Sequence, residues 1–184
     1  RIVPSIFCHS PYTCSADTLI KAKRAARDQG VLFQIHMAET EGEKDLIPGS
    51  GGLSPVTYLE SIGILDDRTL LVHAVAVDRH DLEIIQKSNA SVVHVPESNM
   101  KLASGVSPVP DMLALGIPVA LGTDGSASNN DLDMFAEMGS AARLHKVIRK
   151  DPTVMSAETV LRMATCGGAR ALGLGDVTGS LEPG

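Results

Sequence analysis

Val31-Leu-Phe-Gln-Ile-His36 decides the fold: a short, mostly apolar run, entered from Gly30 and ended by a histidine. The same layout recurs along the chain. Ile2 to Cys8 precedes His9, Thr69 to Val72 precedes His73, Ala90 to Val93 precedes His94, and Ile117 to Gly122 precedes Asp124. Each run is short and bounded by turn or helix signals, which is how a fully buried parallel strand reads. Helical stretches lie between the runs, so the alternation predicts βαβ units and a parallel sheet. Reactive side chains at the C-terminal ends of such strands are where a (β/α) barrel builds its site.

The intervening segments carry helix signals of their own. Ser15 is a candidate N-cap for a helix from Ala16 to Gln29, stopped by Gly30, and Asp78 caps a helix running to Ser88. Shorter helices are expected near Pro55–Ser61 and Asp111–Leu115, a long one over Leu132–Arg149, and a last pair over Ser156–Thr165 and Gly168–Leu172. Val95 to Pro108 and Gly125 to Asn130 read as long polar loops after the last two strands, where barrels often place substrate-binding groups.

At 184 residues the chain is long enough for one domain with a real core, yet short of the roughly 200 to 250 residues of a complete eight-stranded barrel. The formal charge of −6 is mild, and no Lys/Arg cluster interleaves with aromatics, so nucleic-acid binding has little support. No apolar run reaches the ~20 residues that cross a bilayer, and the opening residues lack a signal-peptide layout. Three cysteines without CxxC spacing read as reduced thiols in a cytoplasmic protein. The chain opens inside a strand run and closes on a turn-rich stretch, which predicts an internal piece of a longer protein.

The chemistry gathers at the strand ends. In His36-Met-Ala-Glu39 a histidine able to bind a metal is followed by a glutamate able to reach the same pocket. A Glu that does not ligate the ion is the usual proton shuttle of zinc hydrolysis. Asp124, in a run of small residues, can ligate a metal and also accept a proton. Taken singly, His9, His73 and His94 read as satisfied strand-end imidazoles; taken together, the five positions suggest a metal or acid–base centre. His36 and Asp124 are the direct ligand candidates, and His73 stands near them. A catalytic zinc normally takes at least three protein ligands plus an open position, so the site is incomplete within this chain. His80 and His145 lie in polar helical company and are read as surface residues.

Four stretches resemble the aminohydrolase branch of the amidohydrolase superfamily: His9-Ser-Pro-Tyr-Thr-Cys-Ser15, His36-Met-Ala-Glu39, Ser98-Asn-Met-Lys-Leu-Ala-Ser-Gly105 and Gly122-Thr-Asp-Gly-Ser-Ala-Ser-Asn-Asn-Asp-Leu-Asp-Met134. Within it the chain is most similar to 5′-methylthioadenosine/S-adenosylhomocysteine deaminases, then to other purine deaminases and triazine chlorohydrolases. The resemblance implies an α/β fold, a (β/α)8 TIM barrel holding one divalent metal (Zn2+, or Fe2+, Mn2+ or Ni2+). Residues 1–172 would then be about strands four to eight with their helices, and residues 173–184 the start of a link to a β-sandwich domain. It implies His36 and Asp124 as metal ligands, Glu39, His73 and Asp124 as catalytic groups, and His9, Glu39 and Asp124 in contact with substrate. A His-x-His upstream would supply the other ligands.

The implied reaction is hydrolytic deamination of an adenine-type nucleoside, a free small molecule, with neither nucleic acid nor membrane as partner. The protein would be a homo-oligomer or associate with the missing barrel half. Alternatives are a triazine-type chlorohydrolase or another aminohydrolase and, for this chain alone, a non-catalytic half-barrel. Two departures from the family pattern stand out. Val95-Pro96-Glu97 replaces the expected Asn-Pro and places an extra carboxylate near the substrate loop, and Ala74-Val-Ala-Val77 is apolar where a second polar position is common.

Overall fold

A computed structural model of the chain describes residues 2–183. Five strands, β1 (Ser5–Cys8), β2 (Leu32–Met37), β3 (Thr69–His73), β4 (Ser91–His94) and β5 (Val119–Leu121), form one sheet in chain order, and every pairing is parallel. Between them run α1 (Ala16–Asp28), α2 (Glu43–Leu46), α3 (Pro55–Ser61), α4 (Arg79–Ser88), α5 (Pro96–Lys101) and α6 (Val109–Ala114). After β5 come α7 (Ser126–Asn129), α8 (Met134–Arg149), α9 (Ala157–Arg162), a π-helical turn (Met163–Gly167) and α10 (Gly168–Ala171). These are consecutive strand–helix units of an α/β barrel. No helix among the described residues is long and apolar enough to cross a membrane.

Alternation along each strand divides the sheet into two faces. Phe33, Ile35 and Met37 of β2 are fully buried, sharing one core with Leu19 of α1, Leu59 of α3, Ile85 of α4 and Met112 of α6. Burying each such side chain is worth about 1.5–3 kcal/mol, which makes this helix-side layer the main source of cohesion. The other face carries Gln34, His36, Val72, Val93 and Ala120, which line a concave surface of about 280 Å³ together with the half-exposed Phe7. At the opposite, N-terminal end of the strands, Lys23 of α1 is buried and donates to Asp66 and to Thr69 of β3. This ties the helix layer to the sheet away from the site.

Local signals account for most boundaries. The Ser15 hydroxyl accepts the Thr18 N–H to open α1, Ser54 does the same for Thr57 in α3, and Asp78 and Asp81 form a reciprocal capping box at α4. Several expectations fail. Ile2 to Pro4 lie outside β1, with Ile2 almost wholly exposed. The supposed loop after His94 begins at once with α5, because proline at a first helical position costs no hydrogen bond and already has helical φ. The polar segment after Asp124 folds into the single turn α7. His145 is buried, not a surface residue: Glu137, Ala141 and His145, four residues apart, form the inward stripe of α8.

Candidate active site

Side chains from β1, β2, β3 and β5 converge at the C-terminal end of the sheet. His36 follows Leu32 and Gln34 on the concave face by simple alternation, and parallel register sets it level with Val72. His73 does not follow that rule. Thr69 and Leu71 share its parity and belong to the helix side, yet the His73 ring lies 5.0 Å from that of His36. Its φ of 78°, followed by 47° at Ala74, turns the strand end out of its regular course. Ala38 (φ 52°) and Asp124 (φ 61°) are also left-handed. Backbone of this kind is costly for non-glycine residues and clusters at functional sites.

His36 Nε2 stands 3.9 Å from Asp124 Oδ1, and His73 Nε2 stands 3.7 Å from Glu39 Oε2. His73 Nδ1 donates to Asn99 Oδ1 at 2.9 Å, leaving Nε2 as the nitrogen turned to the site. Glu39 accepts the Ser104 hydroxyl on Oε1, and its own N–H donates to Glu43 Oε2. Asp124 Oδ2 accepts hydroxyls from Ser98 and Ser128, and Oδ1 accepts the Gly125 N–H. His9, exposed at the rim, packs edge to face on His36 at 5.3 Å, with Nδ1 near the Thr13 and Ser10 hydroxyls.

Charge states follow from these surroundings. Burial pushes the His36 imidazole below its usual range, and the neighbouring His73 adds to this against the pull of Asp124. A neutral ring with a free lone pair is the form that ligates a metal. Burial alone would raise Asp124, but donors from Ser98, Ser128 and Gly125 outweigh it and hold the carboxyl below its ordinary value. A neutral imidazole nitrogen and a carboxylate oxygen 3.9 Å apart are too distant to hydrogen-bond, and both are donor types that a divalent cation such as zinc accepts. Among the described residues no cluster of three or more His, Cys, Asp or Glu side chains could hold a metal.

Of the five strand-end positions, His9, His36, His73 and Asp124 come together with Glu39, whereas His94 does not join them. It is wholly buried on the helix side, where its Nε2 lies 3.1 Å from His145 Nε2. Burial first, then His145 and His73, pushes His94 down to about 3, and burial pushes His145 down to about 4. Both are therefore neutral packing groups between β4 and α8. The expected extra carboxylate near the substrate loop is also misplaced, since Glu97 Oε1 accepts the Ser140 hydroxyl of α8. Residue-level reading missed Asn99, Ser98, Ser128 and Ser104, although all four lie within the two longest motifs.

Acidic and imidazole groups gathered beside left-handed turns at the C-terminal strand ends are the arrangement of the site-bearing end of a (β/α) barrel. The chain belongs to the amidohydrolase family, which it matches over residues 2–184. It is 52% identical over 176 residues to the 5-methylthioadenosine/S-adenosylhomocysteine deaminase of Syntrophobacter fumaroxidans, covering 96% of this chain and 40% of that protein. Its fold superposes with a TM-score of 0.93 on the crystal structure of an adenosine deaminase from Xanthomonas campestris with bound zinc. That pair is 39% identical, covering 98% of this chain and 41% of the other. An atrazine chlorohydrolase from Arthrobacter aurescens complexed with zinc gives a TM-score of 0.85 at 29% identity, covering 92% and 38%. The chain thus spans about two-fifths of the length of the relatives it matches.

Proposed function

We propose that this chain is the C-terminal part of the catalytic barrel of a metal-dependent aminohydrolase that deaminates an adenine-type nucleoside of the 5′-methylthioadenosine or S-adenosylhomocysteine class. The observation that carries this reading is the convergence of His36, Glu39, His73 and Asp124 at the strand ends. Residues 1–172 would supply the barrel units, 173–184 the start of a link onward, and the rest of the relatives' length the remaining strands. Those strands would cover the concave face and provide the other ligands.

His36 and Asp124 would hold a divalent ion, zinc being the metal of the similar solved structures. When bound, that ion supplies an acidified water at neutral pH. Asp124, kept ionised by its donors, would accept the proton of the water that adds at C6. Glu39 would deliver a proton to the ring nitrogen; the Ser104 hydroxyl donates to its carboxyl, and its backbone N–H donates to Glu43. His73, held through Asn99, presents Nε2 to the charge that develops between Glu39 and the reacting carbon. His9 at the rim would contact the substrate. The exocyclic amine, taking the proton held on Asp124, would leave as ammonia while the C6 hydroxyl returns its proton to Glu39, and an inosine-type lactam would remain.

The chlorohydrolase likeness supports a second reading, replacement of chloride on a triazine ring by the same hydrolytic centre. Release assays on the full-length protein with zinc separate the two. The expected result is ammonia from 5′-methylthioadenosine or S-adenosylhomocysteine, and no chloride from a chlorotriazine. A zinc-loaded protein that liberates ammonia from no purine would overturn the deaminase reading.

A further inference from the structure

We propose that Glu137 is a positioning residue for the Asp124 carboxylate, acting through the two short helices that flank it. The proposal rests on the functional reading above. Glu137 lies on the inward stripe of α8 with no exposed surface, and both of its oxygens are engaged. Oε1 accepts the Asn129 side-chain amide of α7, and Oε2 accepts the backbone N–H of Glu97 in the first turn of α5. The Asn129 amide also donates to the Thr123 carbonyl at 2.7 Å, one residue before Asp124.

These are the two segments that grip Asp124. Ser98, next to Glu97 on α5, and Ser128, next to Asn129 on α7, both donate to Asp124 Oδ2, at 2.7 and 2.8 Å. One buried carboxylate therefore anchors both helices whose serines saturate Oδ2, and Oδ1 is left on the side of His36. Asp124 stands at φ 61°, a conformation that persists only where the surroundings over-determine it. Glutamine has nearly the same shape but presents an N–H2 group where Glu137 accepts from a donor, so one anchor must break. Ser140 provides a control, because it links α8 to α5 through Glu97 Oε1 without reaching toward Asp124.

The test is made on the full-length protein, measuring zinc affinity by chelator competition alongside kcat, KM and thermal unfolding. In Glu137→Gln both zinc affinity and kcat are expected to fall roughly 10–100-fold with little change in KM. Ser140→Ala leaves affinity and kcat at wild-type values. Asn129→Ala, which cuts the same path at its other end, reproduces the loss and decides the matter if Glu137→Gln does not fold. A wild type that binds zinc and releases ammonia, paired with anchor variants (Glu137→Gln, or Asn129→Ala in its place) that do both equally well, overturns this proposal alone. So does an equal weakening of zinc binding in the anchor variant and Ser140→Ala. A wild type that binds no divalent ion and releases no ammonia overturns the functional reading and takes the proposal with it.

Discussion

Glu43 accepts the Glu39 N–H through Oε2, while its Oε1 meets no partner among the described residues. Burial pushes its carboxyl up to about 7, against the Glu39 and Ala38 N–H groups that lower it. The folded chain thus holds this proton more tightly than the unfolded chain, whose carboxyl titrates near 4.5. The stability it contributes is complete below that value and is lost as pH rises toward 7, by roughly 3 kcal/mol for a shift of this size. Denaturant unfolding at pH 5 and pH 8 should show the fall, and Glu43→Gln should reduce it; an unchanged slope in the variant would contradict the assignment. The same scale marks how far the sequence could be read. His36 was legible because strand alternation alone aims it at the site. His73 and His94 were not separable: alternation sends both into the helix layer, where His94 lies, and the left-handed φ that turns His73 to the site is not written in the apolar pattern.

At the scale of elements, the segment after α5 is what holds Glu39 from above. Ser107 donates to the Ala74 carbonyl at the end of β3, Ser104 donates to Glu39, and Gly105 lies between them at φ 122°. A Cβ on Gly105 would come within 2.8 Å of the Val75 side chain, at a backbone angle L-residues rarely adopt. Gly105→Ala should cost about 1–3 kcal/mol and loosen the Ser104–Glu39 contact. A lower Tm accompanied by a drop in kcat would bear this out, and wild-type values of both would refute it. Strand positions and the longer helices were readable here because caps, glycine stops and apolar runs are local signals. The α5 turn was not, since proline closes one element and opens another with equal ease. The buried face of α8 escaped for a different reason: its stripe carries Glu137 and His145, whose polarity imitates solvent exposure until their partners on α5, α7 and β4 are in place.

For the whole molecule, the parallel sheet, its order and its site-bearing end follow from one repeated motif, strand then ionisable residue. Among the described residues β1 and β5 are each paired on one side only, and Phe7 is half exposed beside His36. No group of three or more His, Cys, Asp or Glu side chains among the described residues could hold a metal, whereas a catalytic zinc normally takes at least three protein ligands. We propose that His36 and Asp124 are two of the ligands in the complete protein, 3.9 Å apart at the strand ends. Elemental analysis of the full-length protein and of its His36→Ala and Asp124→Ala variants tests it most directly. About one divalent ion per chain in the wild type, lost from both variants, is the expected result. Undiminished metal content in either variant would rule that residue out as a ligand.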